Sequence, residues 1–274
     1  MRQRNSLTRR EMLGQSVGML LAAGLWPGSV CAEGEGSAHE FHFVAVNDLH
    51  YLNERCGQWL EQVFRQMKNH PEGIDFCLVS GDLTEHGKPE QMTAVRDLLK
   101  GMGKPIHVVI GNHDHLSPDD RKAFDECFPK CSNYHFTHLG WQFVGLDTTQ
   151  GRSAYGTQVP STTLTWLDDM LPKLDKQQPT IVFTHFPLGP HVITRPELAE
   201  QLLARFKEYN LQAVYCGHYH AFTERHLRNA TLTTDRCCSF SRQNHDGSKE
   251  KGYFLCHAKD GMVQRTFIEV PPGI

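Results

Sequence analysis

Five short apolar runs in this chain each end abruptly in carboxylates, amides or imidazoles. FHFVAV (41–46) gives way to Asn47-Asp48-Leu49-His50, and IDFCLVS (74–80) to Gly81-Asp82. PIHVVI (105–110) ends in Gly111-Asn112-His113-Asp114-His115, TIVFT (180–184) in His185, and LQAVYC (211–216) in Gly217-His218-Tyr219-His220. Runs this short and this apolar suit strands buried on both faces. Between them the spacing turns helical: Trp59, Leu60, Val63, Phe64 and Met67 fall on one face, and PEQMTAVRDLLKGMG starts with a proline and ends at glycines. SPDDRKAFDECF reads as a short helix capped by Ser117, STTLTWLDDMLPKL as one with Ser161 as cap, and 196–209 as another. FVGLDT (143–148) is a further core strand, and the last 55 or so residues read as strands, FTERHLR, TLTTDRCCSF, GYFLCHA and MVQRTFIEV. The alternation predicts one α/β domain over 40–274, with a mainly parallel inner sheet covered by helices and a terminal antiparallel section.

Parallel strands bring their carboxyl ends to one edge, so polar residues far apart in sequence converge there. Residues i and i+2 on extended chain point the same way, which would aim Asp48 with His50, and His218 with His220, into one pocket. Gly81, Gly111 and Gly217 let the backbone turn tightly as it leaves the sheet. His86 and His115 read as solvent-facing.

The first 32 residues stand apart. Arg9 and Arg10 precede MLGQSVGMLLAAGLW, an apolar run shorter than the roughly 20 residues of a membrane span. Pro27-Gly28 and then Val30-Cys31-Ala32 supply a break and a small-residue cleavage site. The pattern resembles a twin-arginine export signal, which predicts a periplasmic or secreted protein, the export machinery as a partner, and no transmembrane segment in the mature chain. Without residues 1–32, Lys+Arg falls from 28 to 24 and Asp+Glu from 31 to 30, leaving a net charge near −6. That balance argues against a nucleic-acid polymer as partner, because a phosphate-tracking surface is basic. An anionic substrate would need local positive charge, for which metal ions are the obvious source.

Eight cysteines remain in the mature chain. Cys77, Cys216 and Cys256 sit in apolar runs and read as small core residues. Cys127, Cys131, His135 and His138 have zinc-like spacing, but NYHFTHLGWQFVGLD reads as a hairpin turning at Leu139–Gly140. His135 and His138 then fall on opposite faces, against a tetrahedral site. A Cys127–Cys131 disulfide is compatible with export.

D-x-H, GD-x4-G, GNHD, a later His and GH-x-H, in this order, resemble the calcineurin-like metallophosphoesterases, and the spacing is most similar to their cyclic nucleotide phosphodiesterase branch. The resemblance runs from about residue 40 to the C-terminus and includes GLDT before the helix ending in WLDDML. It implies a four-layer sandwich of two central mixed β-sheets flanked by helices. It also implies a dinuclear centre in which Asp48, His50, Asp82 and His220 hold one metal and Asp82, Asn112, His185 and His218 the other. Two such ions acidify a bridging water, clamp phosphate oxygens and stabilise an in-line displacement. Asn112 and His113 are implied to contact the substrate, with His113 the catalytic imidazole on the leaving oxygen and Asp114 fixing it. The N/O donor set fits Mn, Fe or Zn. Two positions depart from relatives: Phe186 stands where many carry a second histidine, and Tyr51 lies where the purple acid phosphatase variant has a tyrosine ligand, without the rest of that signature.

The implied activity is hydrolysis of small phosphodiesters, cyclic nucleotides among them. The alternatives are a phosphomonoesterase, since such a centre reads phosphate and not the alcohol, and a non-catalytic metal- or phosphoester-binding protein. Specificity is expected in loops 148–160 and 186–196, through Arg152, Tyr155, His191 and Arg195.

Overall fold

The computed structural model of the chain describes residues 40–271; the export-signal expectation for residues 1–32 lies outside them. The strands are β1 (Phe41–Val46), β2 (Phe76–Ser80), β3 (Ile106–Val109), β4 (Tyr134–His138), β5 (Trp141–Leu146), β6 (Thr180–Thr184), β7 (Leu211–Cys216), β8 (Thr223–Leu227), β9 (Ala230–Thr234), β10 (Gly252–Lys259) and β11 (Met262–Glu269). The α-helices are α1 (Glu54–Lys68), α2 (Pro89–Gly101), α3 (Lys122–Cys127), α4 (Ser161–Met170) and α5 (Ala199–Ala204).

The strands form two mixed sheets, in order β11-β10-β1-β2-β3 and β4-β5-β6-β7-β9-β8. β1, β2 and β3 run parallel, as do β5, β6, β7 and β9, and the antiparallel strands sit at the flanks. Period-2 alternation explains the layering. Phe43 and Ala45, beside Phe76 of β2, turn toward the other sheet and its Phe143, Phe183 and Tyr215, while Val44 and Val46 face the helices. One hydrophobic layer therefore lies between the sheets and one beneath each helical flank. This is the four-layer sandwich. Truncating an inner ring such as Phe143 to alanine would cost about 3–5 kcal/mol.

Local rules set most boundaries. The Asn53 side chain accepts from the Arg55 and Cys56 amides and opens α1, whose buried face is Cys56, Trp59, Leu60, Val63, Phe64 and Met67. Pro89 starts α2.

Elsewhere the sequence reading needs correcting. The single inner sheet expected from the alternation is two sheets, as the family resemblance implies. The C-terminal strands are no separate section: β8 and β9 extend the second sheet, whereas β10 crosses to pair with β1 in the first, Cys256 opposite Phe43. Strand period marks Phe254, Cys256 and Ala258 as an inward face but not which sheet they complete. β9 stops at Thr234, and residues 235–251 are irregular. α3 starts at Lys122, because Ser117 is engaged in a turn with Asp120. Ser161 is the first helical residue after Pro160 rather than a cap, and the helix expected over 196–209 is regular only over Ala199–Ala204.

Candidate metal centre

The carboxyl ends of β1, β2, β6 and β7, with the Asn112–Asp114 turn after β3, meet where the two sheets abut. The structure brings together all seven side chains implied as ligands. Asp48, His50, Asp82 and His220 form one buried group whose donor atoms lie within 4.8 Å of one another, and Asp82, His185 and His218 form a second. Asp82 belongs to both. Asn112 joins the second group, its Oδ1 3.1 Å from His185 Nε2.

Local backbone geometry aims these groups, by a different route from strand alternation. Asp48, His50, Asp82, His218 and His220 all have left-handed φ, between 47° and 64°. Non-glycine residues avoid that region, so the surroundings over-determine it. The peptide amides are tied accordingly: Asp48 N donates to Gly81 O, His50 N to Asp82 O, and His218 N to the Asp48 carboxylate. Gly217 is required by close approach: a Cβ there would lie 2.7 Å from Asp48 Oδ2. A Cβ on Gly111 would collide with the Asp82 carboxylate.

Three of the four imidazoles, His185, His218 and His220, have the outer nitrogen tied to a carbonyl, which fixes the nitrogen that faces inward. His185 Nδ1 donates to Ser80 O at 2.8 Å and presents Nε2; His218 Nε2 donates to Ala154 O at 3.0 Å and presents Nδ1. His220 Nδ1 lies 3.4 Å from Gln243 O. His50 Nδ1 lies 3.1 Å from Glu85 Oε2, at an angle short of a straight hydrogen bond. The inward nitrogens crowd together, His50 Nε2 at 3.1 Å from His220 Nε2, and His185 Nε2 at 3.3 Å from His218 Nδ1.

The electrostatics fit cations. Asp48 and Asp82 are 0% and 1% exposed, and among the described residues neither pairs with a lysine or arginine. Burial alone would raise their pKa values, but His220 beside Asp48 and His185 beside Asp82 hold both carboxyls well below the usual range. In return, burial, which would lower the imidazoles, is outweighed by Asp48 at His220, pushed up to about 11, and by Asp82 at His185, pushed up to about 9. His218 moves the other way, down to about 4, through burial and the neighbouring His185. Both shifts report the same demand: two buried carboxylates call for positive charge at this position, which divalent ions would bring.

His113 stands beside the first group, its ring centroid 4.8 Å from that of His50. Its Nδ1 donates to Glu85 O at 2.8 Å, leaving Nε2 as the other reactive nitrogen. Asp114 departs from expectation. Its carboxylate accepts from the amides of Gly111, Leu83 and Thr84 and from the Thr84 hydroxyl, so it clasps the loops after β2 and β3 instead of the His113 ring. Burial and Asp82 push its carboxyl up to about 6. His115 is buried, with Nε2 3.0 Å from the Thr149 hydroxyl, rather than solvent-facing.

Of the expected specificity residues, only Arg152 reaches this edge. Its guanidinium donates to the carbonyls of His86 and His115, and its own carbonyl lies 3.5 Å from Asn112 Nδ2. Tyr155 and His191 are exposed, and Arg195 is engaged with Leu188 O and Glu200. Tyr51 packs against Gly57 instead of facing the centre. The sequence reading missed Glu85 and its partner Arg242. Glu85 lies inside the GD-x4-G stretch and was open to inspection; Arg242 is 157 residues away in irregular chain, and no spacing points to it. Cys127 and Cys131 are free thiols.

Residues 41–222 match the family described as calcineurin-like phosphoesterase. The chain is 28% identical over 211 residues to the glycerophosphodiester phosphodiesterase GpdQ of Enterobacter lignolyticus, covering 70% of this chain and 73% of that protein. It is 27% identical over 228 residues to a probable cyclic nucleotide phosphodiesterase of Synechococcus, covering 77% and 84%. In fold it is similar to a dimetal phosphatase from Danio rerio, with a TM-score of 0.65, 15% identity, and 84% of this chain and 98% of that one covered. With the match spanning the strands and turns that build the centre, the chain belongs to the calcineurin-like phosphoesterases, metal-dependent hydrolases of phosphoester bonds.

Proposed function

We propose that this chain hydrolyses small phosphodiesters with two divalent cations, one held by Asp48, His50, Asp82 and His220 and the other by Asp82, Asn112, His185 and His218. The observation that carries the reading is the sharing of Asp82 between two buried donor groups. Two carboxylates against at least four positive charges would leave a local cationic site in an acidic protein. Bound ions would supply activation of water and neutralisation of phosphoryl charge. The donor set of oxygen and nitrogen suits Mn, Fe or Zn.

The chain's own residues then divide the work. His113, its Nδ1 committed to Glu85 O, offers Nε2 to the leaving oxygen, and as imidazolium it can deliver the proton that oxygen needs. Asp114 sets the backbone from which Asn112 and His113 project. Asn112 is held from the second side by Arg152 O. The diester preference is supported by relatives named as glycerophosphodiester and cyclic nucleotide phosphodiesterases.

Manganese-loaded protein assayed on bis-p-nitrophenyl phosphate and on p-nitrophenyl phosphate, with His113→Ala in parallel, tests this. Faster diester turnover, lost in the variant, is expected. Faster monoester turnover would make the chain a phosphatase, and bound metal without turnover a binding protein. Twin-arginine export to the periplasm or beyond belongs to the same proposal, resting on Arg9, Arg10 and the apolar run after them. A reporter fused behind residues 1–32 that stayed in the cytoplasm would remove it.

A further inference from the structure

The family match ends at residue 222, yet the irregular segment 235–251 reaches back to the metal centre. Arg242 Nε donates to Glu85 Oε2 at 3.0 Å and its terminal nitrogen to Oε1, a bidentate clamp. Gln243 O faces His220 Nδ1, His245 N donates to His220 O at 2.9 Å, and the His245 ring stacks on that of His220 with centroids 5.1 Å apart. The segment is itself fastened. Asn244 binds the Cys237 amide and the carbonyls of Ser248 and Glu250, and Lys251 Nζ donates to Arg242 O at 2.7 Å.

Glu85 is the point where this segment meets the centre. Its side chain is 11% exposed, and it touches two imidazoles at once. Its Oε2 is the neighbour of His50 Nδ1, and its backbone carbonyl takes the His113 Nδ1 proton, with Oε1 3.8 Å from that nitrogen. An ionised carboxylate behind a ligating imidazole fixes the ring and makes its inner nitrogen a better donor. A free Glu85 could swing; one gripped by two guanidinium nitrogens cannot.

We propose that Glu85, locked by Arg242 from the segment beyond β9, is a positioning residue that orients His50 in the first donor group and His113 beside it. The inference rests on the two-cation reading above. It assigns the C-terminal segment a task in the reaction: holding the first group, while the second group is held by the carbonyls of Ser80 and Ala154.

The test compares full-length protein with Glu85→Ala, Glu85→Gln and Arg242→Met. Equilibrium dialysis against Mn2+ gives the two metal affinities, and a series of aryl phosphodiesters of rising leaving-group pKa gives the dependence of kcat on the leaving group. Glu85→Ala should weaken one of the two ions by about 10–100-fold and leave the other unchanged. It should also lose more turnover on the poorer leaving groups, because a misaimed His113 matters most where a proton must be delivered. Glu85→Gln, whose amide oxygen keeps an acceptor beside His50 Nδ1, should recover most of the metal affinity. Arg242→Met should fall between wild type and Glu85→Ala on both readouts. If circular dichroism shows Glu85→Ala unfolded, Glu85→Gln and Arg242→Met carry the same comparison.

Two ions held at wild-type affinity, with a parallel leaving-group dependence in the folded variants, would overturn the inference and leave the two-cation reading intact. Wild-type protein that takes up fewer than two ions would overturn that reading, and this inference with it.

Discussion

The two donor groups share Asp82 but are supported differently. The first, with Asp48, His50 and His220, is backed by a carboxylate, Glu85, and by a chain segment from beyond the matched domain. The imidazoles of the second, His185 and His218, are backed by neutral carbonyls of the β2 end and of the loop after β5. A carboxylate behind an imidazole strengthens the inner nitrogen as a donor more than a carbonyl does. On the two-cation proposal, the contrast would make the first position the tighter of two built from the same residue types.

The most severe way to break the contrast is to remove what the groups share. Asp82→Ala should lose both ions and at least about 10³-fold in kcat, beyond the 10²–10³ that removal of one stabilising donor costs. Metal content and turnover measured together check this, and a variant that kept two ions would show that the carboxylate is not shared. His220→Ala and His218→Ala should each keep one ion. The survivor should be held about tenfold more weakly in His220→Ala, where only the carbonyl-backed group remains. Equal affinities in a chelator competition would erase the distinction.

Acidity gives a third test. In metal-free protein the His220–Asp48 and His185–Asp82 pairs raise both imidazoles above their unfolded value, near 6.5. Their stabilisation is therefore complete below about pH 6.5 and is lost as pH rises through about 9 for His185 and about 11 for His220. The Tm of metal-free protein should fall across that alkaline window. Manganese-loaded protein should not follow, because cations would replace those protons, and metal uptake should release protons near neutral pH. Parallel melting curves would refute the exchange. The smallest effect is expected of Tyr51→Phe: with the ring against Gly57, metal content should be unchanged and turnover within about twofold. Loss of an ion would make Tyr51 a ligand after all.

Much of this is legible in the sequence. Each apolar run ending in Asp, Asn or His is a strand or leads out of one, because short apolar runs between helical patterns have few other uses. Convergence of the strand-end side chains follows, since parallel strands put their carboxyl ends on one edge; which seven of them are ligands is what the family resemblance implies. Asp114 was misplaced because adjacency to His113 says nothing about direction. Its carboxylate turns back onto three amides of the loops after β2 and β3. The alternation argument reached the right pairs by the wrong geometry, as left-handed turns rather than extended chain aim Asp48 with His50 and His218 with His220.

By itself the sequence determined the strand and helix periods, the identity of the polar residues at the strand ends, and their order. Those are local properties, fixed by side-chain spacing and by what glycine, proline and imidazole can do. Only the tertiary structure decided that β10 crosses to the first sheet, that Arg242 reaches Glu85, and which nitrogen of each histidine faces inward. These depend on contacts between residues more than 200 positions apart, such as Phe43 with Cys256. No local pattern encodes a partner at that distance, because many pairings satisfy the same periodicity and only close packing selects one.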